Sequence, residues 1–427
     1  MPQSLVEQQI RKDLRYNVGV NMADAVFFGA ALGFGSFGTI IPLFVSQLTT
    51  SATLIGLVPA IHAVGWQLPQ LFTANKVSSL RRYKPFVLAM TIHERLPFIG
   101  FALVAWFMYS LGAQTALILT FLLLIWQGFG GGFTANAWQS LIAKIIPAEF
   151  RGTFFGGQAA AANVFISLCA IGAGFLLEKV YSPLNFTLTF LIAFFFMVIS
   201  WGALALAREP EDTEKVIPEK LPPIWQGSRE ILKRDRNFAW FLTTRILSMA
   251  ATVGFTFYII YCLRYFNMSA VTAGFLTATL TISQTVANAG MGWLGDRWGH
   301  RTMLILGLLA VSLSSGLAWF APSLPWFYLV FILAGVANVS IWTIGMAMTV
   351  EFGTETERPV YIGLSNTLVA PVTILAPILG GWIADTMGFK TTFAISVFMG
   401  LIAAGVLWLF VKDPRHIPVL PAIEGQG

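Results

Sequence analysis

Charge is scarce in this sequence. Asp, Glu, Lys and Arg make up 11% of the 427 residues, against about 25% in an ordinary soluble protein. Hydrophobic residues make up 56%, and mean hydropathy is +0.73. So little charge over so long a chain excludes a water-soluble fold and places the chain in a lipid bilayer. Cysteine is scarcer still. Cys169 and Cys262 both lie inside apolar runs, which excludes a disulfide framework and a thiolate metal site. No G-x-x-x-x-G-K-S/T run occurs, so hydrolysis of a nucleotide in a phosphate-cradling loop is not supported. His93-Glu94 lacks the second histidine of an H-E-x-x-H pair, and no nucleophile is paired with a base. Neither a metal, nor a cofactor, nor an enzyme is expected. The net charge of +6 does not point to nucleic acid, because the basic residues flank apolar runs instead of forming one patch. The polar opening, 1–16, has no short apolar core followed by a cleavage site, so no signal peptide is expected.

What is present is a series of long apolar runs. A crossing needs about 20 predominantly apolar residues. Such runs are read at 18–46, 53–73, 85–108, 114–142, 153–177 and 184–207, and again at 238–263, 270–290, 302–320, 324–350, 362–384 and 391–411. Twelve crossings put both termini on one side. All but five of the 26 Lys and Arg fall on that side; Lys179, Arg264 and Lys390 are opposite, and Arg95 and Arg245 lie within spans. Excess positive charge marks the cytoplasmic face. The expectation is a multi-pass protein of the cytoplasmic (inner) membrane with both termini inside.

The halves resemble one another. At a shift of 207 residues Gly128 meets Gly335, Arg151 meets Arg358, Gly174 meets Gly381 and Glu178 meets Asp385. Six spans separate equivalent positions, so the copies share orientation. The expected division is a six-helix bundle over 1–207, a cytoplasmic linker over 208–237, a second bundle over 238–411 and a disordered tail over 412–427. The linker carries a short surface helix near 228–236, with Trp225 at the headgroup level.

Ionisable groups inside a membrane are costly, so each is a candidate for function. Asp24 lies on the first span, His62 on the second, Glu94 and Arg95 on the third and Arg245 on the seventh. His93, Glu94 and Arg95 are successive helix residues about 100° apart and cannot face one direction. Asp24 and Glu94 oppose Arg95 and Arg245, two charges against two. Two readings stay open: a static network that braces the helices, or a site that moves a proton or holds an anionic solute. On the fourth span, Gln127-Gly128-Phe129-Gly130-Gly131-Gly132 permits close packing, and Asn136 and Gln139, three apart, share a face that suits a solute. Trp342 and Asn366 are cavity candidates in the second half.

One stretch organises the chain: Gly292-Trp293-Leu294-Gly295-Asp296-Arg297-Trp298-Gly299-His300-Arg301, read as a tight turn between the eighth and ninth spans. It resembles the G-x-L-x-D-R-x-G-x-R signature of the major facilitator superfamily, with Gly292, Asp296, Arg297, Gly299 and Arg301 in the fixed positions. The counterpart in the first half is degraded: Asn75 stands where the aspartate belongs. Lys144–Gly152, with Glu149 and Arg151, resembles that family's loop between the fourth and fifth spans. The arginine expected ahead of Q-G-x-G is Leu124, and the antiporter G-P-x-x-G-G is absent from the fifth span.

The resemblance implies an all-α membrane protein with twelve helices in two pseudo-symmetric bundles around a cavity that opens alternately to each side. It places Asp24, Asn136, Gln139, Arg245 and Trp342 on cavity helices and the third helix, with Glu94, at the periphery. The function it implies is secondary transport of a small organic solute with a proton or other coupling ion, in a monomer, with efflux preferred. A nutrient importer or facilitator and a non-transporting membrane sensor are the alternatives.

Overall fold

The computed structural model describes residues 5–78, 80–211, 231–349, 351–353 and 358–414. Trp225, residues 228–230 and the tail from 415 onward lie outside the described residues. So do the side chains of Asn75, Glu149, Arg151, Asp296 and Arg358. Every regular element among the described residues is a helix. Eleven are long and apolar enough to cross a membrane, and Ala52–Gln67 is a shorter apolar helix. Hydrocarbon offers backbone groups no partner, so a chain this apolar satisfies them within helices.

Several expected spans are broken where local chemistry breaks them. The first is helix α1 (Leu5–Phe34) followed by α2 (Ile40–Leu48), with the break at the Gly35–Gly38 turn. The second is α3 (Ala52–Gln67) and α4 (Pro69–Ser78), divided at Leu68 ahead of Pro69. The third is α5 (Lys84–Arg95), α6 (Pro97–Trp106) and α7 (Met108–Leu111). Pro97 has no N–H to give the preceding turn, so α5 ends at the charged pair Glu94-Arg95. The fourth, fifth and sixth are α8 (Ala113–Ile145), α9 (Ala148–Lys179) and α10 (Leu184–Ala205). In the second half the seventh span is interrupted by a 3-10 segment, Thr252–Phe257, and the tenth by a π turn, Ser340–Ile344.

The Gly292–Arg301 stretch is mostly helix, not a turn. The helix Ala270–Trp298 runs through it, and only Gly299, at φ +96°, reverses the chain before His300–Phe320. A left-handed φ of this kind suits glycine alone at no steric cost.

By contact the chain forms two units. One gathers Met1–Thr50, Val58–Leu221 and Ser269–Ala278; the other gathers Ser51–Leu57, Pro222–Met268 and Thr279–Gly427. In the first, α1 packs along α9 and α10, and α8 packs against α4, α5 and α6. The second holds the apolar core of Phe238, Phe241, Met303, Leu308, Met348 and Tyr361.

The glycine run of α8 decides how close these helices come. A methyl on Gly128 would sit 3.1 Å from the Gly65 Cα, one on Gly130 would collide with the backbone of His93 and Glu94, and one on Gly132 would collide with the Gly65 carbonyl. Backbone cannot rotate away as a side chain does. Gly130→Ala is therefore expected to cost at least about 1–3 kcal/mol by overpacking, read as a lower midpoint of thermal unfolding in detergent. An unchanged midpoint would show that α5 and α8 are not in backbone contact.

Candidate functional site

The first unit holds an open-sided cavity of about 520 Å³. Asp24, His62, Glu94 and Arg95 all line it, which brings together four of the five buried ionisable residues singled out from sequence. The helix breaks explain the meeting. Glu94 and Arg95 close α5 one residue before the Leu96-Pro97 kink, Asp24 enters from α1, and His62 enters from α3. His93 is exposed and turns away, accepting from Trp126 Nε1 at 3.2 Å. The 100° rule is met by these three residues dividing between two directions.

Arg95 is the hub and is 5% exposed. Its guanidinium stands 3.7 Å from Asp24 Oδ1 and 3.6 Å from Glu94 Oε2. A hydroxyl bridges each pair. Ser200 Oγ donates to Asp24 Oδ1 at 2.6 Å and accepts from Arg95 Nη2 at 3.0 Å. Thr91 Oγ1 donates to Glu94 Oε2 at 3.3 Å and accepts from Arg95 Nη1. Arg95 Nε donates to the Met197 carbonyl at 3.1 Å, and Phe28 lies under the guanidinium at 5.6 Å. The guanidinium thus donates through all three of its nitrogens.

The charge count is the physical content of the site. Two carboxylates share one guanidinium. His62 does not make up the difference. Its Nδ1 donates to Gln127 Oε1 at 2.9 Å, its ring stacks on Phe37 at 3.8 Å, and no carboxylate lies within ion-pair reach of it among the described residues. With both carboxylates ionised, the cavity carries one uncompensated negative charge, which is costly away from water.

Arg245 does not join this cluster, contrary to the expectation of two charges against two. It is 2% exposed in the second unit, and its Nη1 donates to the Ile341 carbonyl. That carbonyl belongs to the π turn, whose wider winding alters the local hydrogen-bond ladder. Gly345 leaves the space that the guanidinium fills. Arg245 Nε has no partner among the described residues.

The other candidates fall elsewhere. Asn136 Nδ2 donates to the Gln70 carbonyl at 2.6 Å and to Thr73 Oγ1 at 3.3 Å, so its amide fastens α4 to α8. Gln139 is exposed, and neither residue lines this cavity. Trp342 packs half-buried against the core of the second unit, and Asn366 is exposed. Of the signature residues, Arg297 lies on the Trp293 ring at 3.9 Å and Arg301 Nη2 donates to the Trp408 carbonyl at 2.6 Å. His300 pairs with Glu351 at 2.6 Å. Glu94, on the third span, lines this cavity of the first unit.

Thr91 and Ser200 escaped the sequence reading. Thr91 stands three and four residues before Glu94 and Arg95, the spacing that puts all three on one helix face; that signal was available. Ser200 is a lone serine in an apolar helix and gives none.

Comparison with known proteins accords with this architecture. A family model described as Major Facilitator Superfamily matches residues 23–263 and 255–426. Multidrug resistance protein 2 of Bacillus subtilis is 32% identical over 155 residues, 36% of this chain and 38% of that protein. The multi-drug resistance efflux pump PmrA of Streptococcus pneumoniae is 26% identical over 141 residues, 33% of this chain and 35% of its own. These matches span little more than a third of either relative's length. Among solved structures, the nucleoside transporter NupG superposes with a TM-score of 0.69 at 13% identity, over 92% of this chain and 99% of that one. The D-xylose-proton symporter superposes at 0.68 and 18% identity, over 94% and 99%. The family model spans almost the whole chain and the fold agrees with it end to end: the chain belongs to the Major Facilitator Superfamily.

Proposed function

We propose that this chain is a secondary transporter that moves a small organic solute across the cytoplasmic membrane by alternating access, driven by protons, in the direction of efflux. The observation that carries the reading is the shared guanidinium. Asp24 and Glu94 hold one negative charge more than Arg95 neutralises. A cavity in a low-dielectric surround relieves that charge by taking up a proton or a cation. A site that must gain and lose one positive charge is the chemistry that ties solute movement to a proton gradient. Charge distribution along the chain supports cytoplasmic termini. The resemblance to multidrug efflux proteins favours export.

The test uses the purified chain in liposomes of known orientation. A gradient of one pH unit supplies about 1.4 kcal/mol per proton, enough for about tenfold accumulation of a solute exchanged one for one. A solute library is first screened by thermal shift, because a bound solute stabilises by mass action. The expected result is accumulation on the acidic side that collapses with an ionophore. Movement with the proton would reverse the assigned direction, and saturable binding with no counterflow would make the protein a sensor.

A further inference from the structure

The first unit carries a second open-sided pocket, of about 490 Å³, at the Lys84 end of α5 and just past the Ala205 end of α10. Both helices are long and apolar enough to cross the membrane, so the pocket sits where two spans stop. Asp13 and Glu209 line it against Arg82, Lys84 and Arg208, one net positive charge. The two acids are spent on internal donors. Glu209 Oε1 accepts from the Tyr83 amide at 2.7 Å and from Lys144 Nζ at 3.0 Å, and Oε2 accepts from the Lys84 amide at 2.8 Å; its side chain is 2% exposed. Buried Asp13 accepts from Gln9 at 2.5 Å and from Arg208 Nη1 at 2.8 Å. Lys84 Nζ is tied to the Ala207 carbonyl at 2.8 Å. Two guanidiniums remain on the accessible face. The Arg208 side chain is 58% exposed, and that of Arg82, 53% exposed, meets Glu211 loosely at 4.0 Å. Arg208 is fixed from behind. Buried Asn17 accepts from its amide at 2.8 Å and donates to its carbonyl at 2.9 Å, and the Tyr16 ring lies 4.1 Å from the guanidinium. A cation held this way loses little freedom on binding. Leu206, on the pocket wall, is exposed just where the α10 span ends.

We infer that this pocket binds the headgroup of an anionic phospholipid, with Arg82 and Arg208 on the phosphate oxygens and Leu206 against the start of an acyl chain. A guanidinium offers a phosphate parallel N–H groups, and basic pockets between helices at the edge of a bilayer suit anionic headgroups. The N-terminus of α5 is not the anion site, because the Glu209 carboxylate already occupies its first amides. A free phosphate shares the chemistry but gains nothing from Leu206, and a lipid arrives in the plane of the membrane at the depth of the pocket. A zwitterionic lipid brings the same phosphate with a cation that the two arginines repel. The pocket shares no lining residue with the Asp24–Glu94–Arg95 cavity, so the inference holds whether or not that cavity moves a solute.

The test is native mass spectrometry of the full chain in detergent, with equal amounts of dioleoyl phosphatidylglycerol and dioleoyl phosphatidylcholine added. The wild type is expected to retain phosphatidylglycerol at least about fivefold over phosphatidylcholine. Arg82→Gln combined with Arg208→Gln weakens phosphatidylglycerol about thirtyfold, about fivefold for each cation, and leaves phosphatidylcholine unchanged. Arg11→Gln combined with Lys12→Gln removes two exposed cations of α1 that do not line the pocket, and shifts phosphatidylglycerol by less than about twofold because distant exposed charges are screened. Should the loss of Arg208 strand Asp13 and unsettle α1, Arg82→Gln alone carries the test, with a loss of about fivefold. Glycerol phosphate in excess displaces little of the bound lipid, since it lacks the apolar body that meets Leu206. The inference is overturned if the arginine variants retain phosphatidylglycerol as the wild type does, or if the α1 pair loses as much as they do, which would make the binding a general attraction to a charged face. Full displacement by glycerol phosphate overturns the lipid assignment in favour of a water-soluble phosphate ester. Solute flux does not enter the readout, so failure here leaves the transport reading untouched.

Discussion

Arg95→Leu is expected to lower stability by about 3–5 kcal/mol, because removing one partner of a buried ion pair strands the charge that remains. Here two carboxylates are stranded at once. Asp24 loses a guanidinium at 3.7 Å and Glu94 one at 3.6 Å, while Ser200, Thr91 and the Met197 carbonyl lose a donor. The measurement is the midpoint of thermal unfolding in detergent at neutral pH. The sign can be isolated by repairing the charge. In Arg95→Leu combined with Asp24→Asn and Glu94→Gln, most of the lost stability returns, since neutral amides carry no ionic desolvation cost. Arg95→Lys falls between, because an ammonium is a single point of charge and cannot fork to two carboxylates and two hydroxyls. A wild-type midpoint for Arg95→Leu would mean that the cluster does not brace the helices at all.

Asp24→Asn is expected to do the opposite: leave the fold intact and abolish coupling. With Asp24 neutral, Glu94 and Arg95 balance one to one and the cavity has no excess charge to exchange. Ser200 still finds an acceptor in the Asn side-chain oxygen, so the packing of α1 on α10 is kept. The unfolding midpoint at neutral pH stays level, because Glu94 remains to pair with Arg95 in the variant. Accumulation under one unit of pH gradient drops from about tenfold to about onefold, the loss of one coupled proton. Full accumulation in this variant would place the coupling site elsewhere, with Arg245 and its π turn the next place to look. The two variants together separate bracing from mechanism, since Arg95→Leu tests the first and Asp24→Asn the second.

Much of the site was legible because charge in a membrane is rare enough to be informative. Asp24, His62, Glu94 and Arg95 each stand out against apolar neighbours, and each lines the cavity. Partnership was not legible. Equal counts of acids and bases suggested that Arg245 completed the set, yet counting says nothing about distance. Arg245 satisfies its guanidinium on a carbonyl freed by irregular winding, which no periodicity announces. Asn136 shows the same limit of a sequence. An amide on a span looks like a solute ligand, but a neighbouring helix carbonyl competes for it and takes it.

The sequence by itself determined that the chain lives in a membrane, that it crosses as helices, and that it belongs with a family whose signature it carries between the eighth and ninth spans. Each follows from local quantities: hydropathy over a span, the backbone's need for internal partners, and a fixed order of letters. Only the tertiary structure decided that one arginine serves two carboxylates, that Glu94 faces inward, and that Gly131 alone among its glycine neighbours lines the cavity. Those depend on the kink at Pro97 and on how closely α8 lies against α3 and α5. Helix rotation and separation are set by summed contacts between distant segments, and no stretch of chain encodes them alone.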